Sequence, residues 1–129
     1  MMSTSYKIDK TKYAKIPCLR HAMEGNETEF RELITKSSFD QELINYVYKK
    51  SGDTPLILAS RYGQENVVSF LLENSAEIEH HNIDGKTALH DAAQNENISC
   101  VKELLSHGAQ VDVLKRADWY GHVISLLLS

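Results

Sequence analysis

The chain is poor in cysteine: Cys18 and Cys100 are its only two, and they stand far apart. So sparse a pair builds no disulfide framework, and we read a reduced, intracellular protein, cytosolic or nuclear. Long apolar runs are missing as well. None approaches the roughly 18 residues that a membrane-spanning helix needs. The opening Met1-Met2-Ser3-Thr4-Ser5-Tyr6-Lys7 has no apolar centre of the kind a secretory signal carries. No membrane partner is expected. Excess positive charge is absent too, since the net charge is −4, which argues against direct binding to nucleic acid. Lys7, Lys10, Lys12 and Lys15 are spread out and interleaved with Asp9, the pattern of a solvated tail. With 129 residues the chain supports one modest domain.

The six glycines form no phosphate-cradling loop; they punctuate. Gly52-Asp53-Thr54-Pro55-Leu56 returns as Gly85-Lys86-Thr87-Ala88-Leu89, an offset of 33. Ala59 and Ala92, Val68 and Val101, Leu71-Leu72 and Leu104-Leu105, and Ala76 and Ala109 keep that offset. A shared period of this length is the signature of stacked helical repeats. The fold expected is all-α: a solenoid of helix-turn-helix units joined by β-turn or hairpin loops.

The units follow from turn and cap residues. Residues 1–15 show no sustained period and read as a flexible leader. Pro17 suits a first helical turn, and Leu19, Ala22 and Met23 share a face that Gly25 ends. Phe30, Leu33 and Ile34 mark a second helix, so residues 16–48 form a degenerate N-terminal cap repeat. Its insert carries Leu43, Ile44, Tyr46 and Val47, suited to a helical turn over the first groove. In the repeat 49–81, Thr54 caps and Pro55 opens a helix, and Val67, Val68, Leu71 and Leu72 make the buried stripe of the next. Asn74 and Ser75 stand where a left-handed residue ends that helix, asparagine being the better suited. In the repeat 82–114, Ile98, Cys100, Val101, Leu104 and Leu105 repeat the stripe. Glu96 replaces Gly63 there, so the turn is expected to place Asn95 or Asn97 in the left-handed region, with strain of about 1 kcal/mol. After Leu114 the period fails, and residues 115–129 read as a divergent tail.

These motifs in phase, Asp53-Thr54-Pro55-Leu56 with Ala59 and Gly85-Lys86-Thr87-Ala88-Leu89-His90 with Ala92-Ala93, resemble the ankyrin repeat. The run Gly108-Ala109-Gln110-Val111-Asp112-Val113-Leu114-Lys115-Arg116-Ala117-Asp118-Trp119 is similar to a narrower family of longer arrays, that of ankyrin repeat domain-containing protein 16. The likeness stops after Trp119, which reads as a shortened or alternative C-terminus. The resemblance implies association with alanyl-tRNA synthetase and a role in translational fidelity, limiting serine mischarging by letting lysine accept misactivated serine. Lys115 is the acceptor this would assign, a lysine amine being nucleophilic once neutral. The alternative is a shortened ankyrin chain acting as a generic adaptor or lacking the full activity.

Chemistry of its own is not expected. His80-His81 is a consecutive pair in a turn, and neighbours seldom aim at one ion. His90, by the resemblance, ties one repeat's turn to the next by hydrogen bonds rather than holding metal. Cys18 and His21 lack a second ligand pair, and Cys100 aligns with Val67, a buried apolar position. No spacing picks out a hydrolytic triad. We therefore expect no enzyme, no cofactor and no metal, but a monomeric protein-binding module. Its contacts should lie on the concave face and turn tips of the repeats: Lys50, Ser51, Asp53, Arg61 and Tyr62 in one unit, and Ile83, Asp84, Lys86, Gln94 and Asn95 in the next.

Overall fold

The computed structural model describes residues 12–37 and 40–110. Among them are seven helices and no strand: α1 (Pro17–Glu24), α2 (Glu27–Lys36), α3 (Asp40–Ile44), α4 (Pro55–Arg61), α5 (Glu65–Glu73), α6 (Ala88–Gln94) and α7 (Ile98–Ser106). The short helices α1, α4 and α6 stack in one layer, and the longer α2, α5 and α7 stack behind them. The architecture is the all-α solenoid that the period implies.

Local chemistry starts each short helix. Pro17 and Pro55 occupy first-turn positions, where a missing N–H costs nothing. The Thr54 hydroxyl accepts from the Ile57 N–H at 3.2 Å. Thr87 and His90 form a reciprocal capping box, the threonine hydroxyl on the His90 N–H and the imidazole on the Thr87 N–H, both at 3.3 Å. α4 lies between α1 and α6, and Pro55 through Ser60 are all buried rather than one face of them. That enclosure is why Ala59 and Ser60 are small.

The stripe of α5 departs from expectation at one residue. Phe70 is buried while Leu72 stays partly exposed. Phe70 meets Phe30 edge to face at 5.9 Å, and the Arg31 guanidinium lies 4.4 Å over its ring. The larger side chain spans the gap between α2 and α5, which the nearer leucine does not need to do. The insert behaves as expected at Ile44, buried to 1%, but Val47 points to solvent. Two side chains fasten the insert to the following repeat: Gln41 donates to the Asn74 carbonyl at 3.0 Å, and Asn45 Oδ1 accepts from the Glu77 N–H at 2.8 Å.

Three sequence expectations need correction. The left-handed residue ending α5 is Ser75, at φ 68°, and Asn74 stays at φ −110°. Asn74 instead turns its amide back onto the Phe70 carbonyl at 2.8 Å. In the α6–α7 turn, Glu96 itself is left-handed at φ 58°, whereas Asn95 and Asn97 are not. Asn97 is held elsewhere: its amide donates to the Ser60 and Arg61 carbonyls at 2.8 and 3.0 Å. Gln64, at the matching place one repeat earlier, donates to the Met23 carbonyl at 3.0 Å. Each cross-repeat amide leans on the preceding turn glycine, so a Cβ at Gly25 would strike Gln64 and one at Gly63 would press on Asn97. Glu96 ends the last described first-layer helix, and the crowding amides at the other turns come from the succeeding repeat. Last, part of the leader is not loose: residues 12–15 form a turn whose Tyr13 is buried to 2%. The remainder of the leader and the tail 115–129 lie outside the described residues.

Candidate functional site

The loop tips preceding α4 and α6 pair directly, the Ile83 N–H donating to the Ser51 carbonyl at 3.0 Å. Behind this seam lies the Asp53 carboxylate, 2% exposed. It accepts from Tyr13 at 2.6 Å, Ser51 at 3.0 Å and Asn82 at 3.0 Å, and from both Arg61 guanidinium nitrogens at 2.9 and 3.3 Å. Arg61 also reaches Asp91 of α6 at 3.2 Å. Asn82 braces its own loop, its side-chain oxygen accepting from the Asp84 and Lys86 N–H groups at 2.9 and 3.1 Å. The Tyr13 ring stands edge-on to Tyr48 at 5.0 Å. One carboxylate thus joins the N-terminal turn, two loops and, through Arg61, two helices.

The electrostatics follow from that geometry. Burial alone would raise the Asp53 carboxyl, but the hydrogen bonds and charge of Arg61, with those of Tyr13 and Asn82, hold it below the usual aspartate value. Asp91 goes the other way. Its burial outweighs Arg61 and Lys86, and nearby Asp53 adds to the rise. Between two carboxylates, Arg61 is held more firmly protonated despite its own burial. Burial and the Asp53 contact push the Tyr13 phenol above its ordinary range. The pairs are charge-assisted and sheltered, so leaving one ion alone costs on the order of 3–5 kcal/mol.

Above this floor opens a cleft of about 310 Å³. Lys50, Ser51, Asp53, Arg61, Tyr62, Ile83, Asp84 and Lys86 all line it. Gln94 and Asn95 do not. They sit at the end of α6, where Asn95 caps the helix and donates to the Asp91 carbonyl at 2.8 Å. Ser51 and Arg61 are tied to the Asp53 carboxylate inside the network, and Arg61 keeps 16% exposure, so the three form the floor of the cleft. Lys50, Asp84 and Ile83, the last 71% exposed, are open at the rim; Lys86 and Tyr62 are half-buried. Lys12, Tyr13, Asn82 and Asp91 belong to the cleft or its floor and were missed by sequence reasoning. A signal existed for two of them. Asn82 two residues before Asp84 is an Asx-turn pattern. Asp91 falls where Leu58 stands one period earlier, and an acid at a buried helical position demands a cation.

Elsewhere, burial pushes the Cys18 thiol up to about 11 and the Cys100 thiol up to about 12, away from thiolate chemistry. The His80 ring bonds the Gly52 carbonyl at 3.0 Å, tying the two loops together. Among the described residues, no group of three histidine, cysteine or acidic side chains converges as a metal site would. None of the described helices is long and apolar enough to cross a membrane. Lys115 lies outside the described residues.

Known proteins repeat this pattern. Residues 7–115 match the family model described as ankyrin repeats (3 copies). A Fowlpox virus (strain NVSL) ankyrin repeat protein is 36% identical over 84 residues, covering 56% of this chain and 25% of the relative. Alpha-latrocrustotoxin-Lt1a of Latrodectus tredecimguttatus is 30% identical over 115 residues, covering 83% of this chain and 8% of its own length. Ankyrin repeat and SAM domain-containing protein 6 of Rattus norvegicus is 30% identical over 115 residues, 88% of this chain and 12% of its length. The chain therefore spans a quarter or less of these relatives. Among solved structures, a chain from the complex of the Bdellovibrio bacteriovorus predatory endopeptidase Bd0816 with immunity protein Bd3460 superposes with a TM-score of 0.67 at 30% identity. The match covers 75% of this chain and 48% of that one. With a family model over most of its length and the cross-repeat contacts that such a model implies, this chain belongs to the ankyrin-repeat family.

Proposed function

We propose that the chain is a non-enzymatic protein-binding module that engages its partner at the loop-tip cleft. The observation that carries this reading is the contrast between floor and rim: a satisfied, buried ion network beneath Lys50, Ile83 and Asp84, which face solvent. A rigid floor lowers the ordering cost of binding, and exposed rim side chains supply the contact. Its structural neighbour comes from a complex of two proteins, which supports the same use of the fold. The free, buried cysteines fit a reduced compartment, cytosol or nucleus, and the chain acts as a monomer. Photo-crosslinking tests it. A benzophenone amino acid at Ile83 or Lys50 should capture the same partner from cell extract, and one at exposed Lys102 of α7 should not. Equal capture from all three positions contradicts the reading.

The narrower reading takes alanyl-tRNA synthetase as partner and Lys115 as the acceptor of misactivated serine, with a role in translational fidelity. It rests on the likeness of residues 108–119. In its chemistry the Lys115 amine forms an amide with the seryl carbonyl as the adenylate leaves. Purified synthetase should be retained on the immobilised chain, and a seryl adduct should appear on Lys115 by mass spectrometry. Absence of both overturns the narrower reading and leaves the general one to the crosslinking test.

A further inference from the structure

We infer that the loop-tip cleft takes an acidic peptide segment of a partner protein, its carboxylates among Lys12, Lys50 and Lys86 and an apolar side chain against Ile83. This inference rests on the protein-binding reading above and specifies the partner's chemistry.

The argument is one of charge placement. In a chain of net charge −4, the cleft gathers four cationic side chains against three carboxylates. They are not equally available. Asp53 and Asp91 lie below, 2% and 1% exposed, and both are turned onto Arg61. At the rim, Lys12, Lys50 and Lys86 share one exposed carboxylate, Asp84; Lys86 also feels the charge of buried Asp91, and none of the three lysines forms an ion pair among the described residues. The solvent thus meets a local cationic ring on an acidic protein, which attracts carboxylates and steers them inward. Ile83 stands in the same rim at 71% exposure, a large aliphatic side chain held outward by the backbone bond from its own N–H to Ser51. An acidic segment carrying one apolar residue satisfies both features.

Nucleic acid fits worse. A phosphate backbone needs an extended basic track, whereas the three lysines here rim one open cleft of about 310 Å³, near the lower end of binding-site volumes.

Panning a random peptide-display library on the full chain tests the inference. Enriched peptides should carry aspartate or glutamate beside leucine, isoleucine or phenylalanine. A synthetic consensus peptide should bind by fluorescence polarisation and weaken about tenfold with the double variant Lys50→Glu, Lys86→Glu. Ile83→Ser should weaken it about threefold without changing its salt dependence. Among the described residues the altered side chains hold no hydrogen bond, and an unchanged melting curve confirms that each variant is intact. Enriched peptides without acidic bias, or binding that survives charge reversal, overturns the inference. So does a single-stranded oligonucleotide that binds as tightly as the peptide and loses affinity with the same reversal. In each case the protein-binding reading still stands or falls on its own crosslinking result.

Discussion

The repeats centred on α4–α5 and α6–α7 share a backbone plan and differ in what secures it. At the period of the array, Asp53 corresponds to Lys86, Arg61 to Gln94 and Gly63 to Glu96. The first repeat locks its loop through a buried carboxylate and guanidinium; the second holds the equivalent loop with the Asn82 amide and the Thr87–His90 box. Apolar positions are therefore what the two copies must have in common, because they stack. Polar loop positions are free to diverge, and there the first repeat carries Asp53 and Arg61 where the second has Lys86 and Gln94.

The contrast is broken most forcefully at the hub. Asp53→Ala takes the carboxylate from Tyr13 and Asn82 and leaves Arg61 with Asp91 alone, and should cost about 3 kcal/mol in urea unfolding. The corresponding Lys86→Ala should stay within about 0.5 kcal/mol. Equal losses would mean that the network is incidental. Acid sharpens the same point. The folded Asp53 carboxyl is depressed, so on acidification the unfolded chain takes up the proton first. Its contribution is present above the ordinary aspartate value of 3.8 and lost as pH falls through the lower folded value. Asp91 is raised by burial, so its contribution has the opposite sign, present below 3.8 and lost as pH rises through its folded value. Melting curves from neutral pH down to pH ~2 should lose most of their acid-side destabilisation in Asp53→Asn and keep it in Asp91→Asn.

Smaller effects compare the helix starts and turns. Thr54→Ala and Thr87→Ala should each lose about 1 kcal/mol, with His90→Ala adding to the second case alone because only that repeat has the reciprocal box. Glu96→Gly should gain up to about 1 kcal/mol by relieving the left-handed backbone, while Gly63→Ala loses at least that much, since φ is 73° and Asn97 crowds the new Cβ. Chemical unfolding at one temperature reads all of these together.

What the sequence made legible was local. Thr54, Pro55 and Gly25 act on residues within one turn of themselves, and all three take the predicted roles. The cleft was legible as a place, because repeat geometry puts loop tips side by side. The division into floor and rim was not. Tyr13 finds Asp53 forty positions away, a distance that no periodicity spans, and so it hid within an apparent leader. Phe70 is buried outside the expected stripe because the gap it fills lies against Phe30 of the neighbouring repeat. Glu96 is left-handed because Asn97 is committed to carbonyls of α4. Each miss is a tertiary contact overriding a sound local preference.

One buried carboxylate, that of Asp53, holds the two loop tips together. Native-state hydrogen exchange compares wild type with Asp53→Asn at the Ile83 and Lys86 amides, which bond to Ser51 and Asn82. Both amides should exchange at least tenfold faster in the variant, while amides inside α7 change only by the global loss of stability. Unchanged protection at Ile83 and Lys86 would contradict the account.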